Sequence, residues 1–390
     1  MVKRSANPLS DSGTADLLSR MIADIKQNGP LSLASYITYA LADPDEGYYQ
    51  TKDPLGGAGD FTTAPEISGL FGEMCGLYLA HMAEIFGTDN AAVIELGPGR
   101  GSLMADMRHV WQRLMPALAA APLHFVETSP HLRQLQRKKL GDVEITFHAN
   151  LDHLPPQPLF AVANEFFDAL PIAQAVWRRG DADGGVSGAW HHRLVGLTDG
   201  RLAFVDGPPL APDDLAAWAL DAMPTTARTD GDIVEFCPMA EAYVKKLAHH
   251  LATFGGACLV IDYGRDGQTG DSLQAVARHR PVDVFHQPGT ADLSHWVDFS
   301  ALRRVATAAG ARLVGPVPQG DFLRETGIMQ RAESAARFAD AETRRGLYAA
   351  VDRLVSGQHM GSAFKVALLV PAGDGIPAGF TPSPDQEDGT

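Results

Sequence analysis

An alternation of short apolar runs and amphipathic segments between residues 91 and 163 constrains the fold of this chain most strongly. The apolar runs stand at 91–96, 123–126, 144–147 and 159–163, and helical patterns fill the gaps between them. Strands that alternate with helices in this way form parallel sheets with right-handed crossovers. The chain is therefore predicted to contain an open α/β sheet.

The alternation stops at residues 172–236, where short alternating stretches are separated by Gly and Asp. This pattern predicts antiparallel strands in an insertion. A helix around 239–251 and a buried strand at 256–262 return to the core pattern, and late strands follow at 312–317 and 364–370. The predicted fold is α/β and Rossmann-like, with about seven mostly parallel strands, N-terminal helices and an inserted antiparallel β region.

A chain of 390 residues with 45% hydrophobic residues can bury a core and one sizeable second lobe. Both ends are polar and contain Pro, which predicts loose tails. The predicted divisions are an N-terminal helical region with a Gly-rich loop at 14–86, a core at 87–171 and 237–371, an inserted β-rich lobe at 172–236, and tails at 1–13 and 372–390.

The formal net charge of −15, from 47 acidic and 32 basic residues, disfavours binding to nucleic acid. An acidic surface attracts a basic protein or peptide, or it only keeps the protein dissolved. We therefore predict no nucleic-acid partner.

Compartment and metal content are predicted from what the sequence lacks. Its three cysteines are odd in number and widely spaced, which predicts a reducing compartment and no disulfide framework. No apolar run reaches the ~20 residues that span a bilayer, and the first residues resemble no targeting peptide. We expect a cytoplasmic protein without membrane insertion. The histidines show no ligand spacing, so no metal is predicted.

A Gly-rich turn follows the first core strand, where Glu95 is followed by Gly97, Gly99 and Gly101. Glycines allow a sharp turn and let a ligand approach the backbone. Open α/β sheets bind ligands in this crevice, at the carboxyl ends of the strands. The pattern G-x-G-x-G departs from the dinucleotide fingerprint because Ser102 takes the position of its third Gly, which by itself leaves NAD open.

Acids and an amide after the first three core strands favour S-adenosylmethionine over NAD. Glu95 can face the amino group of methionine, and Glu127 can accept hydrogen bonds from both ribose hydroxyls. Asn150 follows the third strand, where an amide can contact adenine. The other predicted cofactor residues are Thr128, Leu151 and Asn164, with Asp60, Phe61, Thr62 and Thr63 from the preceding loop. That loop is expected to be a lid over the cofactor or a packed turn.

Several longer strings coincide with a known family: GDFTTAPEIS at 59–68, FGE at 71–73, NEFFDALP at 164–171, DYG at 262–264 and GTADLSHWVDF at 289–299. With them, the chain resembles the MidA family, which is related to the mitochondrial complex I assembly-factor arginine methyltransferase. Trp296 is a mild departure, because the family often has a small or apolar residue there.

The resemblance implies a Rossmann-like class I methyltransferase fold whose last strand is antiparallel, with S-adenosylmethionine as cofactor. It also implies symmetric dimethylation of an arginine in a 49-kDa-type subunit of respiratory complex I, in support of complex I assembly. A small-molecule methyltransferase, an NAD-dependent dehydrogenase and a non-catalytic assembly factor are the alternatives.

Residues with carboxylate side chains are suited to bind an arginine substrate. A guanidinium stays protonated, and carboxylates bind it through paired hydrogen bonds. Glu165, at the end of the fourth strand, is the first candidate for this contact, and Asp168 joins it or caps a helix.

The remaining candidates have two interpretations each. His295 accepts the proton released on transfer or is a structural histidine. Glu66 contacts cofactor or substrate, and Asp298 contacts substrate or begins a helix. The 172–236 insertion shapes the substrate entrance or forms a homodimer contact.

Overall fold

The computed structural model describes residues 16–51, 63–87, 89–180, 188–220, 228–267, 270–373, 375 and 377–380. The N-terminal tail expected at 1–13 and most of the C-terminal tail lie outside this part of the chain. Most of the Gly-rich loop that precedes the core, including the candidate lid, also lies outside it.

The helices in these ranges are α1 (Leu17–Asn28), α2 (Leu33–Ala42), α3 (Tyr48–Thr51), α4 (Ala64–Ile67), α5 (Gly69–Phe86), α6 (Ser102–Leu114), α7 (Pro116–Ala120), α8 (Pro130–Leu140), α9 (Pro212–Ala217), α10 (Pro238–Phe254), α11 (Phe299–Ala308), α12 (Gln319–Glu325), α13 (Ile328–Ala336), α14 (Ala341–Val355) and α15 (Met360–Ala363). None of these described helices is both long and apolar enough to cross a membrane.

The strands are β1 (Leu31–Ser32), β2 (Ala92–Leu96), β3 (Leu123–Val126), β4 (Ile145–His148), β5 (Leu159–Asn164), β6 (Ala173–Arg179), β7 (Gly188–Thr198), β8 (Arg201–Pro209), β9 (Ile233–Phe236), β10 (Gly256–Arg265), β11 (Gln274–Ala277), β12 (Arg280–Val282), β13 (Asp292–Ser294), β14 (Val297–Asp298), β15 (Ala311–Pro318) and β16 (Phe364–Pro371).

The central sheet has the strand order β15-β16-β10-β5-β2-β3-β4, and β14 pairs beside it with the end of β10. The pairs β10–β5, β5–β2, β2–β3 and β3–β4 are parallel. The final strand, β16, is antiparallel to both of its neighbours. The α/β class, the mostly parallel sheet and the antiparallel last strand are therefore confirmed.

Helices cover both faces of this sheet. On one face α5 and α6 bury Phe71, Leu79 and Trp111, and on the other α10 and α11 bury Leu251 and Phe299. Each such side chain contributes about 1.5–3 kcal/mol when it is removed from water. The helices are thereby fixed against the sheet, and the loops that leave the carboxyl ends of the parallel strands are held in place.

The helical spacing of apolar residues predicts one helix at 103–118 and one at 332–354, and the structure divides each of them. The predicted helix at 103–118 ends at Leu114, and Pro116 begins α7, because proline lacks an N–H and disfavours helical geometry in the preceding residue. The predicted helix at 332–354 is α13 followed by α14, which Asp340 caps by accepting hydrogen bonds from two backbone N–H groups.

A second, antiparallel sheet contains strands from the predicted insertion. Its order is β1-β7-β6-β9, with β8 paired to β7. The predicted antiparallel strands are thus confirmed, and β1 joins them from the N-terminal region. Whether these strands form a separate lobe at 172–236 stays a prediction.

Helices α2 and α3 and strand β13 lie across the carboxyl edge of the central sheet, and we call them the wall. Tyr36 and Ile37 of α2 pack with Val195 of β7 and Leu293 of β13 in one buried cluster. The stretch at 264–299, which the sequence indicates as mainly loop, contains the three-stranded sheet β12-β11-β13. The wall and the sheet edge enclose the cavity described next.

Candidate active site at the carboxyl ends of the parallel strands

A cavity of about 670 Å³ lies between the carboxyl ends of the parallel strands and the wall formed by α2, α3 and β13. Its size is in the range of small-molecule and cofactor sites. Residues that follow β2, β3, β4 and β5 line one side, and α10 contributes to the rim. The cavity therefore lies where open α/β sheets bind their ligands.

The backbone conformation of the loop at 97–101 favours glycine at three positions. Gly97, Gly99 and Gly101 have φ angles of 63°, 52° and 80°, which side-chain-bearing residues rarely adopt. A Cβ on Gly97 would also lie 2.8 Å from Cδ2 of Phe166. Gly97 and Gly99 line the cavity, and at these two positions only backbone atoms face it.

Glu95 and Asn164 place unpartnered oxygens in this region. Their side chains line the cavity and are only 2% and 8% exposed. Oε2 of Glu95 and Oδ1 of Asn164 have no hydrogen-bond partner within the described part of the chain. Burial raises the pKa of Glu95 to about 8. A buried polar atom without a partner costs about 1–3 kcal/mol, so both oxygens are suited to a ligand that donates hydrogen bonds.

Glu127 is held by its own surroundings. Its Oε1 accepts a hydrogen bond from the N–H of Ser129 at 2.7 Å, and its Oε2 accepts one from Nε2 of Gln136 at 3.2 Å. Burial raises the pKa of Glu127, and these hydrogen bonds oppose that rise. The carboxylate faces the same cavity, together with Asn150. We call the group formed by Glu95, Gly97, Gly99, Glu127 and Asn150 the glycine-loop end.

Glu165 stands at a strained turn directly after β5. Its φ angle is 50°, which costs of the order of 1–3 kcal/mol for a residue other than glycine. Its Oε1 accepts hydrogen bonds from the N–H of Ala64 at 3.3 Å and from Nδ2 of Asn164 at 3.2 Å. Burial raises the pKa of Glu165 to about 7.

Asp262, which follows the β10 residue paired with Asn164, fixes this turn. Its Oδ2 accepts hydrogen bonds from the N–H groups of Phe166 at 3.2 Å and Phe167 at 2.8 Å, and its Oδ1 accepts one from Tyr263. The carboxyl is fully buried, and burial raises its pKa to about 7. Asp262 is not among the site residues that the sequence predicts. An acid that ends a buried apolar strand is the signal that could have identified it.

Asp168 and Asp292 extend the site toward the wall. Burial raises the pKa of Asp168 well above its usual range, and the nearby carboxyls of Asp262, Glu165 and Asp292 add to this rise. Oδ1 of Asp292 accepts a hydrogen bond from the hydroxyl of Tyr49 at 2.8 Å. We call the group formed by Glu165, Asp168, Asp292 and Tyr49 the acidic end. Sequence reasoning missed Asp292 and Tyr49, although Asp292 lies within one of the family-like strings.

The charge of the cavity is strongly unbalanced. Among the residues that the structure describes, the basic side chains in the lining are Arg100, which lies 3.7 Å from Glu66, and Lys246, which contacts Asp152. The carboxyl side chains in its lining are Glu66, Glu95, Glu127, Glu165, Asp168 and Asp292. Such a cavity attracts cations.

Most of the predicted site residues meet in this cavity. Its lining includes Thr63, Glu66, Glu95, Gly97, Gly99, Glu127, Thr128, Asn150, Leu151, Asn164, Glu165 and Asp168. Gly101 lies behind the loop, where a Cβ would face Gln136. Asp60, Phe61 and Thr62 lie outside the described residues.

His295 and Asp298 are not part of this lining. The ring of His295 is buried, with Nε2 3.0 Å from the carbonyl oxygen of Leu170 and Nδ1 3.1 Å from that of Trp296. Asp298 caps α11 by accepting hydrogen bonds from the N–H groups of Ser300 and Ala301. These positions favour the structural interpretation of both residues. Within the described ranges, no three His, Cys, Asp or Glu side chains converge as metal ligands do.

The strand order, the antiparallel last strand and the glycine loop facing a cavity with buried acids define a class I methyltransferase. A family model described as S-adenosyl-L-methionine-dependent methyltransferase matches residues 74–317. The chain belongs to this family. The predicted cofactor, S-adenosylmethionine, is therefore confirmed, and the unpartnered oxygens of Glu95 and Asn164 suit its hydrogen-bond donors.

Named relatives are similar over nearly the whole chain. The mitochondrial protein arginine methyltransferase NDUFAF7 of Rattus norvegicus is 33% identical over 93% of this chain and 86% of its own length. The Homo sapiens protein of the same name is 32% identical over 94% and 86%. Among solved structures, a COG1565 superfamily member from Burkholderia thailandensis bound to S-adenosyl-homocysteine is 27% identical, with a TM-score of 0.78 over 93% of this chain and 94% of that one.

The cytoplasmic location expected from the sequence is contradicted by these relatives. The rat, human and Drosophila melanogaster proteins are all named as mitochondrial. The expectation rested on cysteine usage and the first residues, and these features do not determine the compartment in which a mature protein works.

Proposed function

We propose that this methyltransferase acts on protein arginine, and that it dimethylates symmetrically an arginine in a 49-kDa-type subunit of respiratory complex I in support of complex I assembly. The acidic end carries the proposal, because Glu165, Asp168 and Asp292 line one cavity, and the two basic side chains of its described lining are paired with Glu66 and Asp152. The arginine methyltransferase name of the relatives and the sequence resemblance support it.

We assign the cofactor residues from the cavity lining and from its unpartnered oxygens. In this proposal Glu95 and Asn164 accept hydrogen bonds from the amino group of the cofactor, and Glu127 accepts them from its ribose hydroxyls; the lining of the cavity and the unpartnered oxygens support these roles. Asn150 lines the part of the cavity beyond β4, which suits adenine. When bound, S-adenosylmethionine supplies an electrophilic methyl group.

Glu165 and Asp168 are the proposed catalytic residues. Their carboxylates bind N–H groups of the guanidinium in pairs and thereby orient its remaining nitrogen, which is the main contribution of an enzyme to a displacement reaction. The N–H of Ala64 and Nδ2 of Asn164 both donate to Oε1 of Glu165. Because its pKa is raised to about 7, Glu165 can also accept the proton that the methylated nitrogen releases near neutral pH.

The remaining candidate residues have supporting roles in the proposed function. Thr63 and Glu66 follow the Gly-rich loop and line the cavity, and Oε1 of Glu66 accepts a hydrogen bond from the hydroxyl of Ser102 at 2.7 Å. Glu66 therefore joins the loop region to the first turn of α6. His295 and Asp298 are structural residues in this proposal.

Two measurements test the function. Calorimetric titration with S-adenosylmethionine and, separately, with NAD should give binding of the first ligand only. The protein is then incubated with S-adenosylmethionine and the complex I subunit, and the hydrolysed product is separated by chromatography. Symmetric dimethylarginine is the expected product. Asymmetric dimethylarginine would contradict the stated product, and methyl transfer only to small molecules would contradict the protein substrate. Cofactor binding without transfer would indicate an assembly factor.

A further inference from the structure

We infer that Asp292, oriented by Tyr49, is a third carboxylate that contacts the substrate guanidinium, and that it makes the site selective for arginine over lysine. The inference rests on the proposed function, because it concerns the substrate of the same site. Asp292 lies far from Glu165 and Asp168 in the sequence, and the fold brings all three into the lining of one cavity.

Backbone and ring contacts of His295 hold Asp292 close to Asp168. Asp292 begins β13, which pairs with β11 and ends directly before His295. The N–H of His295 donates to the carbonyl oxygen of Asp168 at 3.0 Å, and its ring Nε2 lies 3.0 Å from the carbonyl oxygen of Leu170. The segment that carries Asp292 is therefore attached to the segment that carries Asp168.

Tyr49 fixes the orientation of Asp292. Its hydroxyl donates to Oδ1 of Asp292 at 2.8 Å, and its own carbonyl oxygen accepts a hydrogen bond from the hydroxyl of Ser129 at 3.0 Å. Helix α3 is thereby held between β13 and the start of α8. The pKa of the Tyr49 phenol is raised by burial and by the carboxyls of Asp292 and Asp168, in agreement with their closeness.

The arrangement is costly without a cation. Like charges that share a buried site disfavour ionisation of each other, and the pKa of Asp168 is raised by burial and by three neighbouring carboxyls. Tyr49 donates a hydrogen bond to Asp292. A ligand that brings several positively charged N–H groups would stabilise the ionised form of Asp168 and its neighbouring carboxyls.

A second observation points to such a ligand. Asn164 is 8% exposed and lines the same cavity, and its Oδ1 has no partner in the described part of the chain. An amide oxygen has two lone pairs, so Oδ1 can accept one hydrogen bond from the cofactor amino group and a second from the guanidinium. Its Nδ2 contacts Glu165, so the amide stands beside the carboxylates. The acceptors therefore come from β5, from the turn after it and from β13. A guanidinium presents five N–H donors in a rigid plane, whereas an ammonium presents three donors from one point. Acceptors that come from separate segments can each reach a different N–H group of a planar guanidinium, so they suit it better than an ammonium.

The test uses the full-length protein saturated with S-adenosyl-homocysteine, titrated with acetyl-Gly-Arg-Gly-amide and with its lysine counterpart. We expect the unchanged protein to prefer the arginine peptide. Asp292→Asn should weaken its binding by about tenfold or more, because it removes charge-assisted hydrogen bonds. Tyr49→Phe keeps the carboxylate and should have a smaller effect in the same direction. Both variants should bind S-adenosyl-homocysteine within about twofold of the unchanged protein.

Asp142→Asn is the matched control, because Asp142 is exposed before β4, at the edge of the sheet opposite the cavity. Unchanged arginine-peptide affinity in Asp292→Asn would overturn the inference, as would an equal loss of S-adenosyl-homocysteine binding. If Asp292→Asn does not fold, Tyr49→Phe decides, and wild-type arginine affinity in that variant overturns the inference. An unchanged protein that binds S-adenosyl-homocysteine but neither peptide would overturn the proposed function as well.

Discussion

The two ends of the cavity are built on different principles. At the glycine-loop end, the backbone takes conformations that only glycine adopts freely, and Glu127 is satisfied by two donors from residues shortly after it. At the acidic end, Glu165 takes a left-handed conformation without being glycine, and carboxyls face each other. Glu127 at the first end is therefore stabilised by donors of the protein, whereas the neighbouring carboxyls at the second end raise the pKa of Asp168 and favour a cationic ligand.

The difference shows how each end is specified. The partners of Glu127 lie within one strand–loop–helix unit. The partners at the acidic end come from separate parts of the chain, as Ala64 does for Glu165 and Tyr49 does for Asp292. A general cofactor site can therefore be encoded locally, while a substrate site is assembled by the tertiary fold.

Replacement of Glu165 should separate the two ends most clearly. We expect Glu165→Gln to reduce methyl transfer by about a hundredfold or more, because it removes the charge and the proton acceptor. Cofactor affinity, measured by calorimetry, should stay nearly unchanged. Glu144→Gln, at an exposed site before β4, is the control and should leave both quantities unaltered. Full activity in Glu165→Gln would show that Glu165 is not the carboxylate that binds the guanidinium.

Gly97→Ala should weaken cofactor binding at the glycine-loop end. The new Cβ would lie 2.8 Å from Cδ2 of Phe166 at a φ angle of 63°. We expect cofactor affinity to fall by about tenfold, and the free energy of unfolding to fall by about 1–3 kcal/mol. Gly346→Ala is the control, since a Cβ there meets nothing within 4 Å. Calorimetry and denaturant titration measure the two effects, and normal cofactor affinity would contradict the proposed role of the loop.

The stability of the ligand-free protein should fall as pH rises from about 5 to 8. Burial raises the pKa of Glu165 to about 7 and of Glu95 to about 8, so the folded state retains protons that the unfolded state has already lost. Each such group lowers the free energy of unfolding by about 1.4 kcal/mol per pH unit between its unfolded and folded pKa values. Denaturant titration across this range measures the slope. Glu95→Gln should flatten it, and an unaltered slope would show that Glu95 does not hold a proton.

His295 should have the smallest effect on chemistry. Both ring nitrogens lie near backbone carbonyl oxygens, and the side chain is outside the cavity lining. We expect His295→Gln to lower kcat by less than about tenfold and to leave the pH profile of kcat unaltered, in contrast to the effect of removing a general base. A lost ionisation in that profile would restore the catalytic interpretation.

The glycine-loop end was predictable because its information is local. The strand at 91–96, the loop glycines and the acid that ends the strand at 123–126 follow each other in register along the sequence. Asp292 and Tyr49 were missed because their meeting depends on how β13 and α3 pack, and no periodicity encodes that. The sequence also left His295 undecided, since a buried structural histidine and a proton acceptor have the same local pattern.

Helix α2 has a consequence for the order in which the molecule can form. Tyr36 and Ile37 pack against Val195 and Leu293, which ribosomes synthesise much later. During synthesis the apolar face of α2 therefore stays uncovered until most of the chain has emerged. Contacts between distant segments slow folding, and exposed apolar surface promotes aggregation. Helix α2 is among the first segments to be made and among the last to be buried, so its apolar face is open to aggregation during that interval.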